Sequence, residues 1–233
     1  MVVYVLVHGA WMGAHGFHKV RPLLWREGHG VFTPCLTGVG ERSHLASPQV
    51  TLTTHIQDVV NTVLYEDLDD IVLLGFSYGG IVVSGALAHI GDRVRHLVFL
   101  DAFIPDDGDT VLRQFGQQAP DQWAVGATRQ VPPLPRPLED PAEQVWSDAR
   151  RSPQPIGTFV EPVRIARPLE DHPFPRTYIK ATADPNEAPD SAFWRAAERA
   201  RTSPAWEYHE IATHHLVPLS RPQELAAILL ACG

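Results

Sequence analysis

Asp70-Ile71-Val72-Leu73-Leu74-Gly75-Phe76-Ser77-Tyr78-Gly79-Gly80-Ile81-Val82-Val83-Ser84-Gly85-Ala86 reads as strand, sharp turn and helix. The apolar, β-branched run before Gly75 suits a strand buried on both faces, and the small residues after Tyr78 suit a helix packed close against a sheet. Between them lies Gly75-x-Ser77-x-Gly79. In a nucleophile elbow the serine adopts a strained backbone conformation, so the residues two before and two after it must be small. Glycine meets that demand on both sides. The turn also sets Ser77 at the amino end of the helix, where free N–H groups and the helix dipole favour a developing negative charge. These are the requirements of acyl transfer. A phosphate-binding loop does not fit, since no Lys-Ser or Lys-Thr follows the glycines. The strand and helix on either side separate the motif from an ordinary tight loop.

Working upstream, Val2 to Val7 reads as a buried strand running into His8-Gly9-Ala10-Trp11. Open parallel sheets bind ligands at the carboxyl ends of their strands. With both strands in one sheet, the backbone N–H groups of Ala10 and Tyr78 face the same oxyanion. A helix is expected over 14–27 with Phe17, Val20, Leu23 and Leu24 inward, then a strand over 31–36 and a polar loop over 37–45 containing His44. Ile56, Val59, Val60, Val63 and Leu64 repeat at helical spacing after Thr54, with Thr54-x-x-Gln57 as a capping box.

Downstream, a strand over 94–100 ends at Asp101-Ala102-Phe103. The alternation predicts an α/β fold with a mostly parallel, doubly wound sheet of about six strands. Residues 105–172 break the pattern. They are rich in proline and carry Phe115, Trp123, Trp146 and Phe159, with short helical periodicity near 142–149. So many large apolar side chains suit a lid inserted over the sheet's edge better than a linker. Strands over 177–182 and 206–211, a helix over 191–201 and a last helix opening at Ser220-Arg221-Pro222-Gln223 complete the pattern.

The 233 residues, 44% of them hydrophobic, suit a single domain over 1–233. A net charge of -8 argues against nucleic acid or an anionic membrane as partner. Cys35 and Cys232 are too few for a disulfide framework and lack metal-ligand spacing, which points to a reducing compartment and a cytoplasmic protein. No cofactor or metal is expected: His209 and His214 are five apart, whereas a zinc-binding helix needs four.

A serine hydroxyl needs a base, and the base an orienting acid, in the chain order Ser, acid, His. His214 and His215 follow the last strand, and His215 is favoured as the base. Asp184, after the strand 177–182, is favoured as the acid. Asp101 is its rival, because it also ends a strand at the same edge.

His8-Gly9-Ala10-Trp11, the stretch Leu36 to Leu45, Gly75-Phe76-Ser77-Tyr78-Gly79-Gly80, Leu100 to Pro105 and His214-His215-Leu216 together resemble the α/β-hydrolase group. Within it they are most similar to bacterial carboxylesterases related to plant methylesterases and hydroxynitrile lyases. That resemblance implies a Ser77, Asp184 and His215 triad with Ala10 and Tyr78 as the oxyanion hole. Two positions depart from the family: Phe76 stands where histidine is common, and His214 where aspartate is. The lyases carry threonine at the place of Gly9 and lysine at that of Leu216, so ester hydrolysis is the expected reaction. Trp11, Phe76, Phe103, Trp123 and Trp146 are the expected substrate contacts, for a small to medium apolar or aromatic ester. A low-turnover ligand-binding protein and a C–C lyase, hydrolase or cyclase are the alternatives. The oligomeric state stays open, a homodimer being one option.

Overall fold

The apolar runs become strands β1 (Val3–Val7), β2 (Gly30–Phe32), β3 (Ile71–Phe76) and β4 (Val94–Leu100). β5 (Gln130–Val131) and β6 (Gln154–Pro155) make a separate antiparallel ribbon, after which β7 (Arg176–Ala181) and β8 (Glu207–Ile211) rejoin the main sheet. The structure, a computed structural model, describes residues 1–138 and 140–233. Among these the main sheet has six strands in the order β2-β1-β3-β4-β7-β8, every neighbouring pair parallel.

Helices α1 (Arg21–Arg26), α2 (Leu52–Tyr65) and α3 (Gly79–Ile90) alternate with the first strands. α4 (Val111–Gln114), α5 (Pro141–Asp148) and α6 (Gly157–Val160) lie between β4 and β7, α7 (Ala192–Thr202) joins β7 to β8, and α8 (Val217–Ser220) and α9 (Pro222–Ala231) close the chain. Alternate strand residues supply two core faces. Val5, Val7, Leu73, Leu97 and Phe99 pack with Val59, Val63, Ile81 and Val82 of α2 and α3. Tyr4, Leu6, Val72, Leu74 and Val98 pack with Leu24 of α1 and Leu225 and Leu229 of α9. Helices on both faces make this the doubly wound, parallel arrangement that the alternating pattern predicts. No helix among the described residues is long and apolar enough to cross a membrane.

Three boundaries differ from expectation. The helix over 14–27 divides into a short 3-10 turn, Ala14–Phe17, and α1, whose start is set by Pro22 in its first turn. β2 stops at Phe32 rather than 36, since Pro34 has no N–H to continue a ladder. α2 starts at Leu52, where the Thr51 N–H donates to Thr54 Oγ1 at 3.1 Å, while Gln57 pairs with Asn61 instead of closing a cap.

The segment between β4 and β7 is tied to the β1 loop. Trp11 donates its N–H to Gln154 Oε1 at 2.8 Å and its indole N–H to the Val131 carbonyl at 3.0 Å, and the Ser152 N–H donates to the Trp11 carbonyl at 3.1 Å. Two buried histidines brace the other loops. His8 accepts the Leu36 N–H on Nε2 at 3.2 Å and faces the Gly9 carbonyl with Nδ1 at 2.9 Å. His55 lies 2.7 Å from the Thr37 carbonyl through Nε2 and 2.9 Å from the Tyr78 hydroxyl through Nδ1. Each is therefore a neutral ring with one donor and one acceptor.

Burial holds both histidines down to about 4, from an ordinary value of 6.5. Between those values the unfolded chain binds more protons than the fold, so stability present above pH 6.5 is lost as the pH falls towards 4. The melting temperature should fall steadily across that window at constant ionic strength. Thermal unfolding followed by circular dichroism checks this, and a flat profile would contradict buried neutral imidazoles.

Candidate active site

β3 ends at Phe76 and α3 starts at Gly79, so Ser77 and Tyr78 alone reverse the chain. Ser77 takes a φ of 55°, in the left-handed region costly for a residue with a side chain. The flanking glycines answer to contact: a Cβ on Gly79 would lie 2.6 Å from the Val7 carbonyl oxygen, and one on Gly75 2.7 Å from that of Gly79. The end of β4 fixes the turn. The Ser77 N–H donates to the Leu100 carbonyl at 3.1 Å, and the Ser77 carbonyl accepts from Phe103 N–H at 3.3 Å and Gly80 N–H at 3.0 Å.

Ser77 Oγ lies 2.8 Å from His215 Nε2, and His215 Nδ1 lies 2.6 Å from Asp101 Oδ2. All three side chains are buried, Asp101 completely. With the Nδ1 proton directed at Asp101, Nε2 is free to accept from the serine hydroxyl. The imidazole sits between the rings of Phe76 and Phe193, with centroids 4.9 Å and 4.8 Å away. Burial alone would raise the Asp101 carboxyl, but the hydrogen bond and charge of His215, with the Lys180 ammonium 2.7 Å away, outweigh it and hold it below the usual carboxylate value.

The two candidate acids meet His215 at different atoms. The carboxylate on the His215 ring is that of Asp101, whereas Asp184 accepts the His215 backbone N–H at 3.3 Å and the Arg136 guanidinium at 2.6 Å. The reason is adjacency: β4 lies beside β3, so its end brings Asp101 next to the elbow, while Asp184 is one strand further out. Asp101 also takes a left-handed φ of 40°, the sharp turn that folds it back under the ring. His214 points elsewhere, its Nδ1 accepting the Leu216 N–H at 3.1 Å.

Both expected oxyanion donors border the serine. Tyr78 is the residue that opens α3, held through its hydroxyl by His55. Ala10 follows Gly9, where a Cβ would stand only 3.0 Å from Ser77 Cβ, so this loop passes in contact with the nucleophile. The next N–H, on Trp11, is already given to Gln154.

The cavity over Ser77 measures about 30 Å³, room for about one water. Trp11 and Phe76 line it with Ala10, His215 and Leu216. Phe103, Trp123 and Trp146 do not. Phe103 is buried behind the site between Phe115 and Phe193, Trp123 lies under Arg129, and Trp146 packs on His18 and Arg150. His44 is exposed, away from the cavity. In their place the structure brings Phe115, Leu134, Arg136, Arg151 and Phe193 to the wall. One of these had a legible signal: Phe193 is an aromatic on the inner face of a helix otherwise lined by Ala192, Ala196, Ala197 and Ala200. Among the described residues no group of three or more His, Cys, Asp or Glu is placed to hold a metal ion.

Residues 4–228 match the profile of the alpha/beta hydrolase family. The chain is 34% identical to a carbendazim hydrolyzing esterase of Nocardioides sp. (strain SG-4G), over the full length of both. It is 28% identical to salicylic acid-binding protein 2 of Nicotiana tabacum, covering 97% of this chain and 95% of that one. Among solved structures, an extracellular alpha/beta-hydrolase from a Paenibacillus species shares the fold with a TM-score of 0.82 at 24% identity, over 100% of this chain and 99% of that one. With a full-length relative above 30% identity, a profile match from β1 to α9 and a serine elbow at the carboxyl edge of a parallel sheet, the chain belongs to the alpha/beta hydrolase family and is an enzyme of the serine hydrolase type.

Proposed function

We propose that the chain is a carboxylesterase working through an acyl-enzyme on Ser77, and the observation that carries this reading is the unbroken line from Ser77 Oγ to His215 to Asp101. Ser77 Oγ attacks the ester carbonyl while His215 Nε2 takes its proton. Asp101 keeps the Nδ1 proton in place and stabilises the imidazolium. The N–H groups of Ala10 and Tyr78 receive the oxyanion, with the amino end of α3 behind them. His215 then returns its proton to the leaving alkoxide, and water, activated by the same ring, releases the acid. Leu216 stands beside His215 at the place where the lyases that the chain resembles carry lysine, which favours hydrolysis over cyanohydrin cleavage.

The substrate in this reading is a small to medium ester with an apolar or aromatic group. The wall supports it through Trp11, Phe76, Phe115, Leu134 and Phe193. Known relatives named as a carbendazim hydrolyzing esterase and methylesterases point to the same class. A cavity of about 30 Å³ is far below the several hundred Å³ that enclose a ligand of this kind. Residues 105–172 therefore serve as the lid of one domain spanning 1–233, and admit substrate by moving Leu134, Arg136 and Arg151 off the serine. Cys35 and Cys232 carry no disulfide, in keeping with a reducing, cytoplasmic setting.

An organophosphonate should form one adduct on Ser77, and Ser77→Ala should lower turnover of a p-nitrophenyl ester by about a million-fold without changing the melting temperature. An unlabelled serine in folded protein would end the reading. The two aspartates give a sharper comparison. Asp101→Asn should lower kcat by about ten-thousand-fold, because an amide no longer holds the reactive tautomer. Asp184→Asn should stay within about tenfold, since it loses the Arg136 pair rather than the ring contact. Steady-state kinetics on both variants checks the order, and the opposite ranking would return the acid role to Asp184.

A further inference from the structure

β7, Arg176 to Ala181, is buried along its whole length and carries a lysine at its fifth position. Lys180 is 0% exposed. An ammonium withdrawn from water is costly unless its charge is paired and each N–H has an acceptor. Lys180 Nζ meets both conditions, with Asp101 Oδ1, Glu187 Oε2 and the Ala181 carbonyl each at 2.7 Å. The Trp194 ring covers it, with the centroid 4.5 Å away. The first of those acceptors is the second oxygen of the carboxylate whose Oδ2 faces His215. Asp101 is thus held at both ends, by the imidazole on one oxygen and by Lys180 and the Ala181 N–H on the other.

We propose that Lys180 is a positioning residue for the reaction, which aims the Asp101 carboxylate at His215, with Glu187 as the counter-charge that keeps the lysine from drawing that carboxylate off the ring. This rests on the esterase reading above. An ammonium paired with Asp101 alone would neutralise it and leave the imidazolium without a net negative partner. Glu187 takes up half of the ammonium's attention, so the Lys180, Asp101 and Glu187 group carries one net negative charge towards His215. Glu187 is itself anchored by the hydroxyl of Ser191, which caps α7. α7 also bears Phe193, the ring stacked on His215. The line of contacts thus runs from the nucleophile through the base, the acid and the lysine to the start of α7, and returns to the base.

Lys180 does not line the cavity, so its effect belongs in kcat and not in KM. The test is steady-state kinetics on a p-nitrophenyl ester, normalised to sites titrated by an organophosphonate so that only correctly folded enzyme is counted. Lys180→Met leaves two carboxylates facing one another and should lower kcat per titrated site by about a hundredfold with KM within about twofold. Glu187→Gln should lower kcat by about tenfold on its own, as the lysine turns wholly to Asp101. The double variant Lys180→Met/Glu187→Gln restores one net negative charge and should recover about tenfold over Lys180→Met. A lysine that only filled space would make the double variant no better than the single one, and that result overturns the proposal. Should Lys180→Met fail to fold, an unchanged kcat in Glu187→Gln overturns it as well. If wild-type Ser77 takes no label, the esterase reading falls and this role with it, whereas labelling with unchanged variants removes only the role of Lys180.

Discussion

The register of the parallel ladder sets the level at which each reactive group emerges. Val7 lies opposite Gly75, Phe76 opposite Leu100, Leu100 opposite Ile179 and Ala181 opposite Ile211. The strands therefore end in step, and the loops that follow leave at one edge. A slip of one residue in any pair would turn the side chains of that strand to the other face. The Ser77 N–H on the Leu100 carbonyl and the Asp101 N–H on the Ile179 carbonyl, at 3.1 Å and 2.7 Å, continue the ladder past the last paired residues. The serine and the aspartate are thus placed by sheet hydrogen bonding, with only the histidine arriving on a longer loop.

What the chain reveals locally it reveals well. The elbow, the strand at its amino side and the small-residue helix after it depend on neighbours within a few positions, and Gly75, Ser77 and Gly79 carry that information in their size and backbone demands. The choice of acid does not depend on neighbours in sequence. Asp101 and Asp184 both follow strands, both sit at the same edge, and both reach His215, one through the ring and one through the backbone N–H. Only strand order separates them, and strand order is a long-range property. A lysine inside a buried strand is the one local hint, since Lys180 needs a buried carboxylate near it and Asp101 is the one that its neighbour strand supplies.

The proline-rich segment shows the opposite case. Its aromatic content announces contact with something apolar, but with only one short helical period, near 142–149, most of its side chains cannot be aimed from sequence. Trp123 and Trp146 settle against arginines, and Leu134 and Phe115 reach the cavity instead. Trp11 reconciles the two regimes, a residue of the β1 loop that takes hydrogen bonds from or gives them to Gln154, Val131 and Ser152 of the inserted segment. It fixes that segment to the same loop that borders the nucleophile.

Three of the residues with left-handed backbone, Trp11, Ser77 and Asp101, stand at the carboxyl ends of β1, β3 and β4, side by side in the sheet. Each such conformation costs on the order of 1 to 3 kcal/mol and persists only because the surrounding structure enforces it. Of the five such non-glycine residues among those described, three are therefore gathered along one rim, at adjacent turns wound against the preference of their own residues. A lineage released from selection for chemistry would be expected to relax there first, by glycine replacing side chains at these turns.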